Sequence, residues 1–167
     1  MKTVYLGLGT NLGDREHALQ EAIDHLHSAD LRIKRLSSVY ETSPQELIEQ
    51  PWFLNMVVEA ETSLFPMRLL GRVMNIERKM GRKRLVSKGP RVIDIDILLH
   101  GSAVVNTAHL VIPHPGITAR RFVLEPLAEL VPNLRLPPNQ RTIRDLLIGT
   151  ASQTVKKSAF VPRIPEE

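Results

Sequence analysis

The chain has 167 residues, 43% of them hydrophobic and 24% charged, as is typical of one globular domain over residues 1–167. It contains no cysteine, which excludes disulfides and thiolate zinc sites, and no apolar run approaches the roughly 18 residues of a membrane span. We therefore expect a soluble, cytoplasmic protein and, by default, a monomer. The net charge of +4 favours a polyanionic partner.

The first half of the chain shows a strand, a helix and two further strands. The first strand is expected in TVYLGLG at residues 3–9, and a helix follows over residues 14–29, where apolar residues recur at helical spacing. Residues 32–42 and 53–62 are rich in β-branched and aromatic residues, which favours two more strands.

The second half begins with a helix over residues 66–81, with Pro66 at its start and Gly81 at its end. Residues 91–100 form the fourth strand of the predicted core. Two shorter helices follow it, over residues 119–130 and 142–148. The order β-α-β-β-α-β predicts an α+β, ferredoxin-like fold: an antiparallel sheet with the two helices on one face, extended by the C-terminal helices.

Two aspartates interrupt the apolar fourth strand, RVIDIDILLH. Because strand side chains alternate between faces, Asp94 and Asp96 share one face and the neighbouring isoleucines share the other. Two like charges roughly 7 Å apart repel each other unless a cation lies between them, so the pair indicates a divalent metal. The alternative is a strand with one solvated face, on which both carboxylates have no function.

A basic segment lies directly before this pair. Residues 82–91, RKRLVSKGPR, contain five Lys or Arg and no acid. Cations beside carboxylates indicate a site for metal and phosphate together, whereas the alternative is a solvated loop. Because glycines flank the cations at Gly81 and Gly89, we expect a lid that orders over its ligand.

The glycine run GLGTNLG begins in the last residues of the first strand and ends just before the first helix. Gly7, Gly9 and Gly13 do not have the spacing of a dinucleotide-binding loop, and no lysine-serine or lysine-threonine pair follows them. We expect a tight turn that brings backbone close to a ligand.

The segment QPWFLN combines aromatic rings with a primary amide. Trp52 and Phe53 point to opposite faces of the third strand, and Asn55 shares a face with Phe53. A ring beside an amide suits a flat, hydrogen-bonding heterocycle, because one stacks on it and the other binds its edge. The alternative is that both rings belong to the core.

The segment IPHPGITARRF places several donors and an aromatic ring within a short, proline-rich stretch. His114 lies between two prolines, and Arg120 and Phe122 follow within nine residues. These groups suit contacts with phosphate and with a base.

Taken together, these segments resemble the 6-hydroxymethyl-7,8-dihydropterin pyrophosphokinase family of folate biosynthesis. GPRVIDIDIL is similar to the family signature, and GLGTNLGDR, SSVYETSP, QPWFLN, IERKMGR, IPHPGITARRF and VLEPLAEL follow the family's order. The resemblance covers residues 3 to about 148. It implies a ferredoxin-like fold and an enzyme that transfers pyrophosphate from ATP to the hydroxymethyl group of a dihydropterin, releasing AMP.

The resemblance also implies roles for particular residues. The implied catalytic residues are Arg82, Arg91, Asp94 and Asp96, of which the two aspartates hold two magnesium ions between the protein and ATP. The implied pterin contacts are Thr42, Phe53, Asn55 and Phe122. The implied ATP contacts are Glu77, Arg84, Lys88, Arg91, His114 and Arg120. The expected partners are therefore small molecules, with no nucleic acid and no membrane.

The chain departs from the family pattern at a few positions. Many members have a tryptophan flanked by a basic residue before the Gly-Pro-Arg run, whereas this chain has Ser87 and Lys88 there, and the loop is one residue shorter. His109 and Met74 stand where an arginine and a polar nucleotide contact are frequent. We expect the affinity for ATP to differ from that of relatives.

Two other functions fit some of these features. Ferredoxin-like sheets with basic surfaces also bind RNA through aromatic platforms, although aromatic residues make up only 4% of this chain. Nucleotidyltransferases likewise use paired aspartates. The nucleotide product separates the two enzyme classes, and magnesium-dependent consumption of ATP separates both from an RNA-binding module.

Overall fold

A computed structural model describes residues 1–43, 49–81 and 92–166. Within these ranges the chain forms strands and helices in the following order: β1 (Lys2–Thr10), α1 (Arg15–Leu26), β2 (Leu31–Leu36), β3 (Tyr40–Thr42), β4 (Phe53–Thr62), α2 (Pro66–Lys79), β5 (Asp94–His100), β6 (Val105–Asn106), β7 (Val111–Ile112), a 3-10 helix (Ile117–Ala119), α3 (Arg121–Leu130), β8 (Arg135–Leu136), β9 (Arg141–Thr142), α4 (Ile143–Ile148) and β10 (Val155–Lys157). Among the described residues, no helix is both long enough and apolar enough to cross a membrane.

Local sequence explains where α1 begins and where α2 begins and ends. The Asp14 carboxylate caps α1 by accepting a hydrogen bond from the backbone N–H of His17 at 3.1 Å. α2 begins at Pro66. Proline suits this position because it lacks a backbone N–H, and a backbone N–H in the first turn of a helix has no partner within the helix. Gly81 follows the end of α2 with φ of +77°, a conformation that favours glycine.

The main sheet is antiparallel and has the strand order β10-β3-β4-β1-β5, with β2 also paired to β4. α1 and α2 pack on one face of this sheet, against the side of β1 that carries Val4, Leu6 and Leu8. α3 and α4 pack on the opposite face, together with Tyr5 and Val57. The predicted antiparallel sheet with helices packed against it is therefore confirmed.

The strand predicted over residues 32–42 is two strands, β2 and β3, both paired with β4. The break occurs at Ser37, whose backbone N–H donates to Val57 O at 2.9 Å while its hydroxyl accepts from Val57 N at 2.8 Å. A side-chain oxygen thus replaces the backbone carbonyl in the ladder, and the regular pairing stops there.

The C-terminal third contains elements that the sequence did not predict. The hairpins β6–β7 and β8–β9 have two residues in each strand, too few for a periodic pattern. β10 adds an edge strand beside β3, with Val155 paired to Thr42. α3 begins two residues later than predicted, because residues Ile117–Ala119 form the 3-10 helix.

Candidate active site

A cleft of about 980 Å³ opens beside β1, β4 and β5, bordered by α2 and by the segment that leads into α3. Pockets for small molecules usually measure about 300 to 1,000 Å³, so this cleft is at the upper end of the range. Every predicted site residue within the described ranges lines it: Thr42, Phe53, Asn55, Glu77, Asp94, Asp96, His114, Arg120 and Phe122.

The two aspartates form part of the floor of this cleft. Asp94 pairs with Gly9 of β1 and Asp96 pairs with Gly7, so both carboxylates lie on the sheet face opposite α1 and α2. The side chain of Asp96 is 42% exposed, and Nε2 of His114 lies 3.9 Å from its Oδ1 atom. The prediction that Asp94 and Asp96 share one face of the strand is confirmed, and this face borders the cleft instead of open protein surface.

Glycine in β1 leaves room for the polar groups of the cleft. A Cβ atom at Gly9 would lie 2.7 Å from Oδ1 of Asn55, closer than non-bonded atoms approach each other. The predicted tight turn is wrong for Gly7 and Gly9, which lie in the extended strand. Of the three glycines, only Gly13 lies in a turn, directly before α1, with φ of +73°.

A buried amide and a buried hydroxyl lie next to Gly9. Nδ2 of Asn55 donates to Oγ1 of Thr42 at 2.7 Å, and both residues are buried. This bond fixes which way the amide points, so Oδ1 of Asn55 lies on the side of Gly9. The pair provides an amide oxygen that accepts hydrogen bonds and a hydroxyl that can still donate one.

The two neighbouring rings of QPWFLN have different environments. Trp52 is 44% exposed, whereas Phe53 is partly buried and lines the cleft on the same face as Asn55. The alternative that both rings belong to the core is therefore wrong. The segment that leads into Phe53 is held by Asn11, whose Nδ2 donates to Pro51 O at 2.9 Å, and by Arg15, whose Nη1 donates to Trp52 O at 2.9 Å.

A cation and an aromatic ring lie together at the start of α3. Arg120 is the N-cap residue of the helix and Phe122 lies in its first turn. The guanidinium carbon of Arg120 lies 5.8 Å from the centre of the Phe122 ring, a distance at which a cation is attracted to an aromatic face. The guanidinium of Arg120 and the ring of Phe122 therefore lie next to each other at the cleft.

His114 has one ring nitrogen already engaged by the backbone. Its Nδ1 accepts a hydrogen bond from Gly116 N at 2.9 Å, so the neutral ring carries its proton on Nε2. Nε2 is the atom on the side of Asp96. The histidine therefore presents an N–H donor to the carboxylate end of the cleft.

Glu77 is a carboxylate from α2 that is only 6% exposed. Its Oε2 accepts a hydrogen bond at 2.9 Å from the backbone N–H of Ile95, the residue between the two aspartates. This N–H points away from β1, and β5 is the last strand of the sheet, so no further strand can pair with it. The Glu77 carboxylate accepts its hydrogen bond instead. The bond holds the strand segment that carries both aspartates against α2.

One polar contact fixes α3 over the sheet near the cleft. Glu129 of α3 accepts from the hydroxyl of Tyr40 at 2.7 Å and from that of Ser38 at 2.9 Å. Burial and the hydrogen bond to Glu129 both raise the pKa of Tyr40, so the phenol stays protonated and remains a donor at neutral pH.

A second polar contact fixes the C-terminal end of α3. Arg35 binds the Glu59 carboxylate with two nitrogens, at 2.9 and 2.7 Å, and also donates to Leu130 O at 3.0 Å. The hydrogen bonds from Arg35 lower the pKa of Glu59, while burial and the bond to Glu59 raise the pKa of Tyr5. Around neutral pH, Glu59 therefore stays ionised and Tyr5 stays protonated, so both Arg35 and Tyr5 donate hydrogen bonds to the Glu59 carboxylate.

Some residues that the sequence singled out lie outside the described ranges or away from the cleft. Arg82, Arg84, Ser87, Lys88 and Arg91 lie outside the described residues, as does the predicted lid. His109 does not line the cleft; its backbone N–H donates to Oγ1 of Thr107 between β6 and β7. Met74 does line the cleft, so the departure from the family pattern at this position lies within the site.

Other residues that line the cleft were not predicted as contacts. Leu70 and Val73 of α2 and Val123 of α3 add apolar wall. Leu70 and Val73 belong to the apolar stripe of a helix, and nothing in the sequence distinguishes cleft positions from core positions on that stripe. For Gly9 the signal was present, since a glycine inside a strand often marks the close approach of another group.

The fold is an α+β sheet with helices on both faces, and its cleft brings a carboxylate pair together with aromatic rings and a buried amide. Comparisons with known proteins identify its family. The family model described as 7,8-dihydro-6-hydroxymethylpterin-pyrophosphokinase (HPPK) matches residues 5–132. The chain therefore belongs to this family of folate synthesis, whose members transfer pyrophosphate from ATP to a hydroxymethyldihydropterin.

Individual relatives agree with this assignment. The chain is 42% identical to the 2-amino-4-hydroxy-6-hydroxymethyldihydropteridine pyrophosphokinase of Aquifex aeolicus, over 87% of this chain and 90% of that protein. It is 46% identical to the enzyme of the same name from Bacillus subtilis, over 75% of this chain and 76% of that protein. The family assignment decides against an RNA-binding module and against a nucleotidyltransferase.

Solved structures show the same fold. A crystal structure of Plasmodium falciparum HPPK-DHPS, wild type with pteroate, superposes with a TM-score of 0.73 over 90% of this chain at 20% identity. The chain spans 42% of that longer chain, and it spans 21% of the folic acid synthesis protein fol1 of Schizosaccharomyces pombe.

Proposed function

We propose that this cleft holds both substrates of the pyrophosphoryl transfer, with the dihydropterin near Phe53 and Phe122 and ATP near Asp94 and Asp96. One observation carries the proposal: stacking rings, an edge-binding amide and a pair of carboxylates line the same cleft. A flat heterocycle and a polyanion that needs a cation are the two ligands that these groups suit. Their proximity brings the two substrates into one space, as a direct transfer requires.

At the pterin end, Phe53 and Phe122 would stack on the two faces of the ring system. The Asn55 amide and the Thr42 hydroxyl would bind its edge, where a pterin alternates hydrogen-bond donors and acceptors. The bond between Asn55 and Thr42 supports this role, because it holds both groups in one orientation before the substrate arrives. Gly9 supports it as well, because any side chain there would displace the amide.

At the ATP end, the donor set suits magnesium. Asp94 and Asp96 offer hard carboxylate oxygens from one face of a strand, and magnesium is commonly bound through one or two carboxylates together with substrate phosphates. We propose that these two residues hold two magnesium ions. When bound, magnesium neutralises phosphate charge and stabilises the attacking and leaving oxygens of the displacement.

In the reaction, the hydroxymethyl oxygen forms a bond to the β-phosphorus of ATP. The bond between the β-phosphorus and the oxygen shared with the α-phosphorus breaks, AMP leaves with that oxygen, and the hydroxyl proton is released. His114 Nε2–H and the Arg120 guanidinium would donate to phosphate oxygens as negative charge moves towards AMP. Glu77 would lie at the rear of the nucleotide pocket and keep the aspartate-bearing segment in place.

The remaining cations stay predictions from sequence. Arg82 and Arg91 are proposed as catalytic contacts to phosphate, and Arg84 and Lys88 as further ATP contacts, because phosphoryl transfer relies on positive charge around the transferred group. Their segment lies outside the described residues, so these roles rest on the family resemblance and on the charge of residues 82–91.

The nucleotide product tests the proposed reaction. The protein is incubated with a hydroxymethyldihydropterin, ATP and magnesium, and the nucleotides are separated by chromatography. AMP in equal amount to the pterin product is expected for attack on the β-phosphorus, whereas ADP as the sole product would contradict it. Asp94→Ala should remove at least about 99% of the rate, a loss of roughly 3 kcal/mol of transition-state stabilisation.

We further propose that the sheet and α1 and α2 form a ferredoxin-like core within one domain over residues 1–167. The strand order β3-β4-β1-β5, with both helices on one face, supports this arrangement. The sequence-based expectations of a monomer and of a cytoplasmic location remain proposals, to be tested by light scattering and by cell fractionation.

A further inference from the structure

The side-chain amide of Gln153 binds the backbone on both sides of Arg120. Its Oε1 accepts a hydrogen bond from Arg121 N at 3.0 Å, and its Nε2 donates to Ala119 O at 2.7 Å. Gln153 lies beyond residues 5–132, the range matched by the family model. It lies between α4 and β10, more than thirty residues along the chain from the segment that it binds.

The position of these bonds matters because α3 begins there. The first N–H groups of a helix have no partner within the helix and are usually satisfied by a capping side chain. Arg120 occupies the N-cap position of α3 and makes no side-chain cap bond. In place of Arg120, the side chain of Gln153 accepts the hydrogen bond from the first N–H of the helix, that of Arg121. The second hydrogen bond of Gln153 fixes Ala119, the residue before the N-cap.

The segment that carries Gln153 is itself attached on both sides. Arg121 donates through Nη1 to Ala151 O at 3.2 Å, which holds the segment against the start of α3. Two residues after Gln153, Val155 pairs with Thr42 of β3. Two residues of extended chain span at most about 7 Å, so Gln153 connects the start of α3 to the strand that carries Thr42 over a short distance.

We propose that Gln153 is a positioning residue for the pterin end of the cleft. By fixing the backbone of residues 119–121, it sets the place from which Arg120 and Phe122 reach the ligand. The proposal rests on the proposed function, in particular on stacking of the pterin against Phe122. Gln153 acts through that ring and through the backbone, not by touching the substrate.

The test compares Gln153→Ala with a matched control, Gln20→Ala. Gln20 likewise binds a backbone N–H and a backbone carbonyl through its side-chain amide: its Oε1 accepts from Arg163 N at 3.0 Å and its Nε2 donates to Arg163 O at 2.9 Å. Gln153→Ala loses two side-chain hydrogen bonds and Gln20→Ala loses three, since Nε2 of Gln20 also donates to Oδ1 of Asp24 at 2.9 Å. Only Gln153 is attached to the segment that leads into Phe122. Calorimetry gives pterin affinity, steady-state kinetics give KM and kcat, and melting gives stability.

We expect Gln153→Ala to raise the dissociation constant and the KM for the pterin about three- to tenfold, with a smaller change in kcat. Gln20→Ala should lower the melting temperature at least as much as Gln153→Ala does, because it loses one more hydrogen bond, and it should leave pterin affinity unchanged. If Gln153→Ala does not fold well enough to measure, Gln153→Glu retains the acceptor for Arg121 N and should show an intermediate loss. Unchanged pterin affinity in both Gln153 variants, or an equal loss in Gln20→Ala, would overturn the proposal.

A double variant separates this inference from the function on which it rests. If Gln153 acts through Phe122, Gln153→Ala should have little further effect on pterin affinity in a Phe122→Ala background, and fully additive effects would overturn the proposal. If Phe122→Ala alone leaves pterin affinity unchanged, the proposed stacking is wrong. If Phe122→Ala weakens binding and Gln153→Ala does not, the stacking stands and only the role of Gln153 is wrong.

Discussion

The two faces of the sheet differ in what they contribute, although the same strands build both. The face towards α1 and α2 is mostly apolar and packed against those helices, and β1 contributes three buried residues to it: Val4, Leu6 and Leu8. The face towards α3 bears glycines and polar groups next to an open cleft. β1 contributes Tyr5, Gly7 and Gly9 to that face, and β5 contributes Asp94 and Asp96.

This difference shows how one alternating sequence builds a packed face and an open cleft from the same strands. In β1 every second residue is bulky and apolar, and in β5 isoleucine alternates with aspartate. The apolar set stabilises the fold by burial, whereas the glycines and carboxylates contribute little packing and leave space for ligands. Substitutions on the packed face should therefore change melting temperature, and substitutions on the cleft face should change ligand binding and rate.

Leu6→Ala tests the packed face and should have the largest effect on stability. Leu6 is fully buried, so its truncation leaves a cavity and should lower the free energy of unfolding by up to about 5 kcal/mol. The fraction that remains folded should keep a normal KM for both substrates. Leu12→Ala, at an exposed leucine, is the control and should stay within about 0.5 kcal/mol of the parent in urea titrations.

Phe53→Ala tests the cleft face. Loss of the ring should weaken pterin binding by about 1 to 3 kcal/mol, the scale of a base stacked on an aromatic side chain, while ATP binding changes less. Trp52→Ala removes the neighbouring exposed ring and should leave pterin affinity unchanged. Calorimetry that shows normal pterin affinity and a lowered melting temperature for Phe53→Ala would assign this ring to the packed core instead.

Gly9→Ala changes the cleft by a single methyl group. The new Cβ would lie 2.7 Å from Oδ1 of Asn55, so the amide must move and the pterin should bind about tenfold less tightly. In the control, Gly7→Ala, the Cβ meets the Leu98 side chain at 3.5 Å, an ordinary contact, and pterin affinity should stay close to the parent value. Equal pterin dissociation constants for the two variants would mean that Asn55 does not need this space.

Thr10→Val should produce the smallest effect and the opposite sign. The hydroxyl of Thr10 is fully buried and has no hydrogen-bond partner among residues 1–43, 49–81 and 92–166, which is unfavourable because water no longer solvates it. Valine has nearly the same shape, so the free energy of unfolding should rise by about 1 kcal/mol. Thr10→Ser keeps the hydroxyl and removes a methyl, so it should be less stable than the parent in the same urea titration.

Much of the fold was predictable because local signals agreed with the tertiary structure. The helical spacing of apolar residues indicated α1, Pro66 marked the start of α2, and the alternation of isoleucine and aspartate placed Asp94 and Asp96 on one face. The break at Ser37 was not predictable, because it depends on a hydrogen bond to Val57 on another strand. β10 was missed for the same reason, since three residues become a strand only by pairing with β3.

The candidate site was predictable in its members and not in its supports. Asn55 and Phe53 were recognisable from their alternation within one strand. The supports Glu77, Glu129 and Gln153 act through hydrogen bonds to residues 18 to 91 positions away in sequence. Among these three, only Glu77 was predicted as a site residue, and its bond to Ile95 N became visible only in the structure.

The central claim is that Asp96 serves the reaction and not the stability of the fold, and one variant tests it directly. In Asp96→Ala, kcat should fall at least about a hundredfold, while the melting temperature without magnesium should stay equal or rise, because one of two repelling carboxylates is gone. Melting and kinetics are measured on the same preparation, with wild-type protein alongside. Full activity in Asp96→Ala, or a melting temperature lowered by several degrees together with normal kcat, would contradict the account.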